Sequence, residues 1–107
     1  MDSKLKRVYV PMSEIAFYIL FCLQEPQHGY GIGQEVKAMT KGEVSISPGT
    51  MYGILSKMEK DGLIRFVSEA EKRKIYEITE LGREILTTEM NRIKRIYINS
   101  IGDEYNG

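Results

Sequence analysis

Residues 47–67 read SPGTMYGILSKMEKDGLIRFV, and the hydrophobic period changes inside this stretch. Ser47 is a good N-cap. Pro48 falls at the first helical position, where its missing amide hydrogen costs nothing. Met51, Ile54, Leu55 and Met58 share one face at helical spacing, and Leu63 extends it. Thr50, Gly53, Lys57 and Lys60 lie elsewhere on the helix, and Asp61-Gly62 stops it. Leu63-Ile64-Arg65-Phe66-Val67 then reads as a strand.

Downstream, Ser68 to Arg73 is a charged connection, and Lys74-Ile75-Tyr76-Glu77-Ile78 alternates as a second strand. The two strands form an antiparallel hairpin, with a loop expected to be longer than the tight two-residue kind. Thr79 caps a long final helix with Glu80 in its first turn. Its apolar residues are Leu81, Ile85, Leu86, Met90, Ile93, Ile96, Tyr97 and Ile101. The series 86, 90, 93, 97 steps by four and three, as in a coiled-coil seam.

Upstream, the glycine turn Gln27-His28-Gly29-Tyr30-Gly31-Ile32-Gly33 opens a helix over about 30–40, with Ile32, Val36 and Met39 on one face. Before it, Ser13 caps a helix that is apolar on nearly all sides from Ile15 to Leu23. Such a helix belongs in the centre of a core. Residues 1–10 read as a short flexible basic arm carrying Lys4, Lys6 and Arg7, and residues 102–107 as a frayed tail. The fold class is α+β, mainly α. Three helices and a two-stranded wing over 11–79 make a winged helix-turn-helix, followed by a long C-terminal dimerisation helix over 80–101.

Composition sets the limits. The chain has 107 residues, 15 basic and 15 acidic, for a formal net charge of zero. That is one domain, and it gives no global signal for nucleic acid, so local distribution must carry any such case. Lys72, Arg73 and Lys74 are the run of three basic residues; Glu69 and Glu71 beside them weaken the field. One cysteine, Cys22, and one histidine, His28, exclude an internal disulfide and a Cys/His metal cluster. The cysteine usage, and the lack of a signal peptide or membrane span in the sequence, point to the cytoplasm. No nucleophile–base motif appears, and the glycines at 29, 31 and 33 follow a helix and not a strand, so neither an enzyme nor a cofactor is indicated.

Four stretches resemble the PadR family of bacterial transcriptional regulators. They are Tyr18-Ile19-Leu20 leading to His28-Gly29-Tyr30-Gly31-Ile32, Ile46 to Tyr52, Leu55 to Ile64, and Lys72 to Gly82. They span residues 12–86 in consistent order, and the short C-terminal region resembles the compact branch with a single C-terminal helix. The resemblance implies a homodimeric repressor of a pseudo-palindromic DNA operator, with the 48–61 helix in the major groove and the wing on the backbone or minor groove. A small ligand that relieves repression is part of that expectation. The DNA-contact residues it implies are Tyr30, Ser47, Pro48, Gly49, Thr50, Tyr52, Lys57, Lys72, Arg73, Lys74 and Tyr76. The dimer-interface residues are Ile85, Leu86, Met90, Ile93, Tyr97 and Ile101.

The physics agrees at several of these positions. The exposed amides and positive dipole end at Ser47–Thr50 suit a phosphate, although Ser47 also serves as a plain cap. Tyr52 sits at the groove edge or packs on the preceding helix. Lys57 and Lys60 contact DNA or form a solvated face. Gly53 costs its helix about 1 kcal/mol relative to Ala, which is tolerable where another helix or DNA must come close. The rival reading is a winged-helix protein-interaction module without DNA binding, favoured by the neutral charge.

Overall fold

The computed structural model describes residues 3–107. Four of its helices begin where a side chain closes the first turn. Ser13 Oγ accepts from the amide of Ala16 at 3.1 Å and opens α2, Glu14–Cys22. His28 Nδ1 accepts from Gly31 at 3.0 Å and opens α3, Gly29–Met39. Ser47 opens α4, Pro48–Lys60, and Thr79 opens α5, Glu80–Ser100, each by accepting from the amide three residues on. Gly62 ends the α4 segment at φ +82°, and the Leu63 amide returns to the Met58 carbonyl at 2.9 Å.

The basic arm is not an arm. Ser3–Tyr9 form a helix, α1, and the expected residues Met1 and Asp2 lie outside the described ones. Tyr9 is buried, and its hydroxyl donates to Asp61 Oδ2 at 2.7 Å. Lys57 Nζ reaches the same oxygen at 3.1 Å and stands 5.5 Å above the Tyr9 ring. One aromatic with a polar tip thus ties the N-terminal segment to the end of α4, which is why a basic, Pro-terminated stretch folds here. Lys4, Lys6 and Arg7 remain on its exposed side.

The sheet has three antiparallel strands, ordered β1, β3, β2, where β1 is Gln27–His28, β2 is Ile64–Ala70 and β3 is Arg73–Ile78. β1 was not expected; Gln27 pairs with Tyr76 and His28 with Ile75. The hairpin differs from expectation as well. The charged connection is strand: a bulge between Phe66 and Ser68 resets the register, and pairing runs on to Ala70 opposite Arg73. A two-residue turn remains, Glu71-Lys72, with φ values of +53° and +65°. That is the type I′ pattern, which matches strand twist and normally takes Asn-Gly. Two long charged residues in that conformation hide the turn from a sequence reading.

The core lies between α2, α3, α4, the root of the sheet and the first turns of α5. Ile19, Leu20, Leu23, Ile32, Val36 and Met58 are each fully buried. Gly82 lets α5 start against the body: a Cβ there would stand 2.2 Å from the Leu63 carbonyl oxygen. The next turns of α5 are therefore core. Ile85 and Leu86, expected at a dimer interface, are buried at 0% and 3% exposure inside the chain's own body. Glu89 follows them at the same face and is fully buried. Its carboxylate accepts from the Met12 amide and from Arg92, whose second contact is 3.2 Å. The tail also departs from expectation. Gly102, at φ +87°, turns the chain, Asn99 Nδ2 donates to the Asp103 carbonyl at 3.2 Å, and half-buried Tyr105 shares a depression with Lys94 and Ile98 on α5.

Candidate nucleic-acid interface

The start of α4 is exposed at every residue from Ser47 to Thr50. Ser47 Oγ spends its acceptor on the Thr50 amide at 3.2 Å and lies 3.0 Å from Thr50 Oγ1, so the cap is satisfied while both hydroxyls face outward. The remaining first-turn amides and the helix dipole leave positive potential here. Met51, Leu55 and Met58 take the opposite face into the core. Among the described residues, nothing beyond the chain neighbours and the helix's own backbone comes within 4 Å of a Cβ placed at Gly49 or Gly53. Neither glycine is required by an intramolecular neighbour, and both lie on the outward face.

A groove of about 270 Å³ separates α3 from α4, lined by Tyr30, Gln34, Lys37, Ile46, Pro48 and Tyr52 among others. Tyr52 does both things its position allowed. Its ring edge closes over Gly29, where a Cβ would stand 3.4 Å away, and the residue is still 56% exposed at the groove rim. Tyr30 is 53% exposed on the facing helix, and its hydroxyl accepts from Gln34 Nε2 at 3.0 Å. The Arg73 guanidinium stands 4.6 Å from the Tyr30 ring centroid. The wing is thereby joined to the groove: Arg73 packs on Tyr30, which lines the groove with Tyr52, and Lys72 and Lys74 are exposed at the wing tip.

Two expected contact residues stand elsewhere. Tyr76 points into the body at 7% exposure, edge-on to Phe66 at 6.4 Å between ring centroids, and burial pushes its hydroxyl pKa up. On β3 the side chains alternate, and the pairing with β1 and β2 turns Tyr76 inward. Lys57 is committed to Asp61 and the Tyr9 ring, on the flank of α4 that meets α1. The Tyr9 hydroxyl, and after it Lys57, hold the Asp61 carboxyl below the usual carboxylate range.

A second exposed surface lies on the other arm of the molecule. Past Glu89, α5 outruns the core. Met90, Ile93, Ile96, Tyr97 and Ile101 are 42% to 62% exposed. Four of these are expected interface residues, and Ile96 joins them. Met90, Ile93 and Tyr97 line a depression of about 640 Å³ that also takes Met12, Phe17 and Tyr18.

Besides α1, the wing turn and the tail, Glu89 and β1 escaped the sequence reading. Glu89 falls at i+3 from Leu86 and i+4 from Ile85, so the helical period does mark it as a core position. The pairing of β1 left no such signal, because two residues have no period. Cys22 is buried; burial, with Glu35 nearby, pushes its thiol up to about 12, so it is an inert packing residue. Among the described residues no group of three or more His, Cys, Asp or Glu is placed to hold a metal, and no helix is long and apolar enough to cross a membrane.

Comparison with known proteins places the chain. The model of the transcriptional regulator PadR-like family matches residues 19–88. An uncharacterized protein X of Lysinibacillus sphaericus is 35% identical over 69 residues, 61% of this chain and 63% of that one. A second curated relative is matched over only 20% of its length. Among solved structures, a PadR family transcription regulator from Clostridium difficile is 26% identical, covering 83% of this chain and 98% of its own with a TM-score of 0.62. Bacillus subtilis PadR in complex with operator DNA shares the fold at a TM-score of 0.66 and 21% identity, over 82% of this chain and 60% of that one. The winged helix that positions the α4 surface is thus the family's fold, and the chain belongs to the PadR-like family of transcriptional regulators, which are not enzymes.

Proposed function

We propose that this regulator binds duplex DNA as a homodimer, with α4 in the major groove and the wing on the adjacent backbone or minor groove, and that it represses transcription. One observation carries the reading: Pro48 at the α4 start lines one groove with Tyr52 and Tyr30, and the wing residue Arg73 packs on Tyr30. Ser47, Pro48, Gly49 and Thr50 would meet the groove with Tyr52, while Lys72, Arg73 and Lys74 meet phosphates. The open space at Gly49 and Gly53 suits a helix that another surface approaches closely. The Bacillus subtilis relative, of the same fold, was solved with operator DNA.

The dimer is supported by the apolar half of α5. Exposed Met90, Ile93, Ile96, Tyr97 and Ile101 are the kind of surface a second copy covers, and a two-fold pair doubles the phosphate contacts over a pseudo-palindromic site. A small effector would fit the depression between α2 and α5. It relieves repression only by binding DNA-competent and incompetent dimers unequally. A cytoplasmic location is consistent with such a function.

The test is selection from a random duplex library, followed by fluorescence anisotropy on the enriched sequence at rising salt. The expected result is a two-fold symmetric motif and an affinity that falls linearly in log–log with salt, by a slope of about 0.9 per phosphate neutralised. A protein that enriches no sequence and binds no duplex at low salt is an interaction module instead.

A further inference from the structure

The groove-rim contact between Arg73 and Tyr30 joins two elements 43 residues apart in sequence, the wing and the start of α3. From it we infer that Tyr30 is a positioning residue: its ring holds the wing arginine in place for DNA, and its hydroxyl is not itself a DNA contact. The inference rests on the DNA-binding reading and assigns Tyr30 a different task within it.

Three observations support it. The guanidinium stands over the ring at 4.6 Å, within the range of a cation–π contact. The ring has two further neighbours: the His28 ring lies 6.5 Å away between centroids at 26° between planes, and Gln34 donates to its hydroxyl at 3.0 Å. His28 is itself fixed, as the α3 cap through Nδ1 and as the β1 partner of Ile75. The phenol therefore stands on a rigid base. The wing needs such a base at its tip. Arg73 directly follows a two-residue turn whose residues both hold positive φ, and neither is a glycine. Among the described residues no carboxylate is recorded within salt-bridge distance of Arg73. Without the ring, a long flexible side chain at a hairpin end samples many rotamers, and ordering it on DNA would cost entropy at that moment.

The experiment combines affinity for the selected duplex with side-chain NMR of the free protein. The variants are Tyr30→Phe, Tyr30→Leu, Arg73→Ala and the Tyr30→Leu/Arg73→Ala pair. In the free protein, the Arg73 side-chain protons should carry an upfield ring-current shift, kept in Tyr30→Phe and lost in Tyr30→Leu. On DNA, Tyr30→Phe should bind within twofold of the parent. Tyr30→Leu should weaken binding about two- to fivefold, the size of one exposed cation–π contact. The same change should do nothing further once Arg73 is alanine. Tyr30→Phe falling as far as Tyr30→Leu would make the hydroxyl a direct DNA contact and overturn the inference. So would independent, multiplying effects of the two substitutions, or an absent ring-current shift. A parent protein that binds no duplex, yet shows the ring-current shift, would instead break the DNA-binding reading and leave the contact as fold architecture.

Discussion

α4 and α5 begin alike and end differently. Each is capped by a hydroxyl that accepts from the third amide, and each carries an apolar stripe at helical spacing. In α4 every large apolar residue but Tyr52 is at least partly covered by the chain itself, and what remains outside is Pro48, glycine, hydroxyl and the charged residues Lys57, Glu59 and Lys60. In α5 the stripe is covered only as far as Glu89, and the next three turns stay apolar and bare. A helix of 21 residues is about 31 Å long, and a three-helix body with a short sheet cannot back all of it. The comparison shows how one pattern serves two ends. On the proposed reading, where the stripe has a body behind it the opposite face meets DNA; where it has none, the stripe itself meets a second copy.

The largest expected effect lies at the division inside α5. Ile85→Ala removes a fully buried side chain and should cost about 2–5 kcal/mol, read as a lowered thermal and urea midpoint. If instead stability holds and only association weakens, Ile85 belongs to an interface and the division has been drawn in the wrong place. Eight residues on, the opposite result is expected. Ile93→Glu should leave monomer stability within about 0.5 kcal/mol, because the side chain is 42% exposed, yet abolish the dimer in light scattering. A dimer that survives Ile93→Glu would put the interface elsewhere.

The sequence reading followed this comparison only part of the way. The caps at Ser13, Ser47 and Thr79 and the order of the helices were legible, since each rests on a local rule. The coiled-coil steps 86, 90, 93, 97 were also visible. They could not say that 86 faces the chain's own core and 90 does not, because periodicity names a face and not its partner. The wing turn was missed because Glu71-Lys72 lacks the turn residues its backbone demands. The helix at Ser3–Tyr9 was missed because its anchor, Tyr9 on Asp61, spans 52 residues. At the candidate site, Ser47 to Thr50 and the wing cations were named from the sequence. Tyr76 was misplaced because strand facing is a tertiary fact, as is the α1 contact that engages Lys57.

A smaller effect sharpens the α4 side. Gly53 weakens its helix, and among the described residues it has no neighbour that requires it. Gly53→Ala should therefore raise stability by about 1 kcal/mol. If α4 docks closely on DNA along that face, the same variant should bind the selected duplex more weakly, so stability and affinity move in opposite directions. Affinity that stays level would show that the face around Gly53 meets nothing closely.

The smallest effect concerns the far end of α4, where α1 is tied on. The Asp61 carboxyl lies below its ordinary value of 3.8, first because the Tyr9 hydroxyl donates to it and then through Lys57. A depressed carboxylate pKa means the folded state prefers the ionised form. Its stabilisation is present above 3.8 and fades as pH falls below that value through the lower folded pKa. Tyr9→Phe removes the largest cause and leaves Lys57. The thermal midpoint of the parent should therefore fall more steeply than that of Tyr9→Phe as pH is lowered past 3.8, with the two curves converging at the acid end. Parallel curves would mean that the tie between α1 and α4 is apolar burial of the Tyr9 ring, and that the carboxylate only receives a hydroxyl placed there by packing.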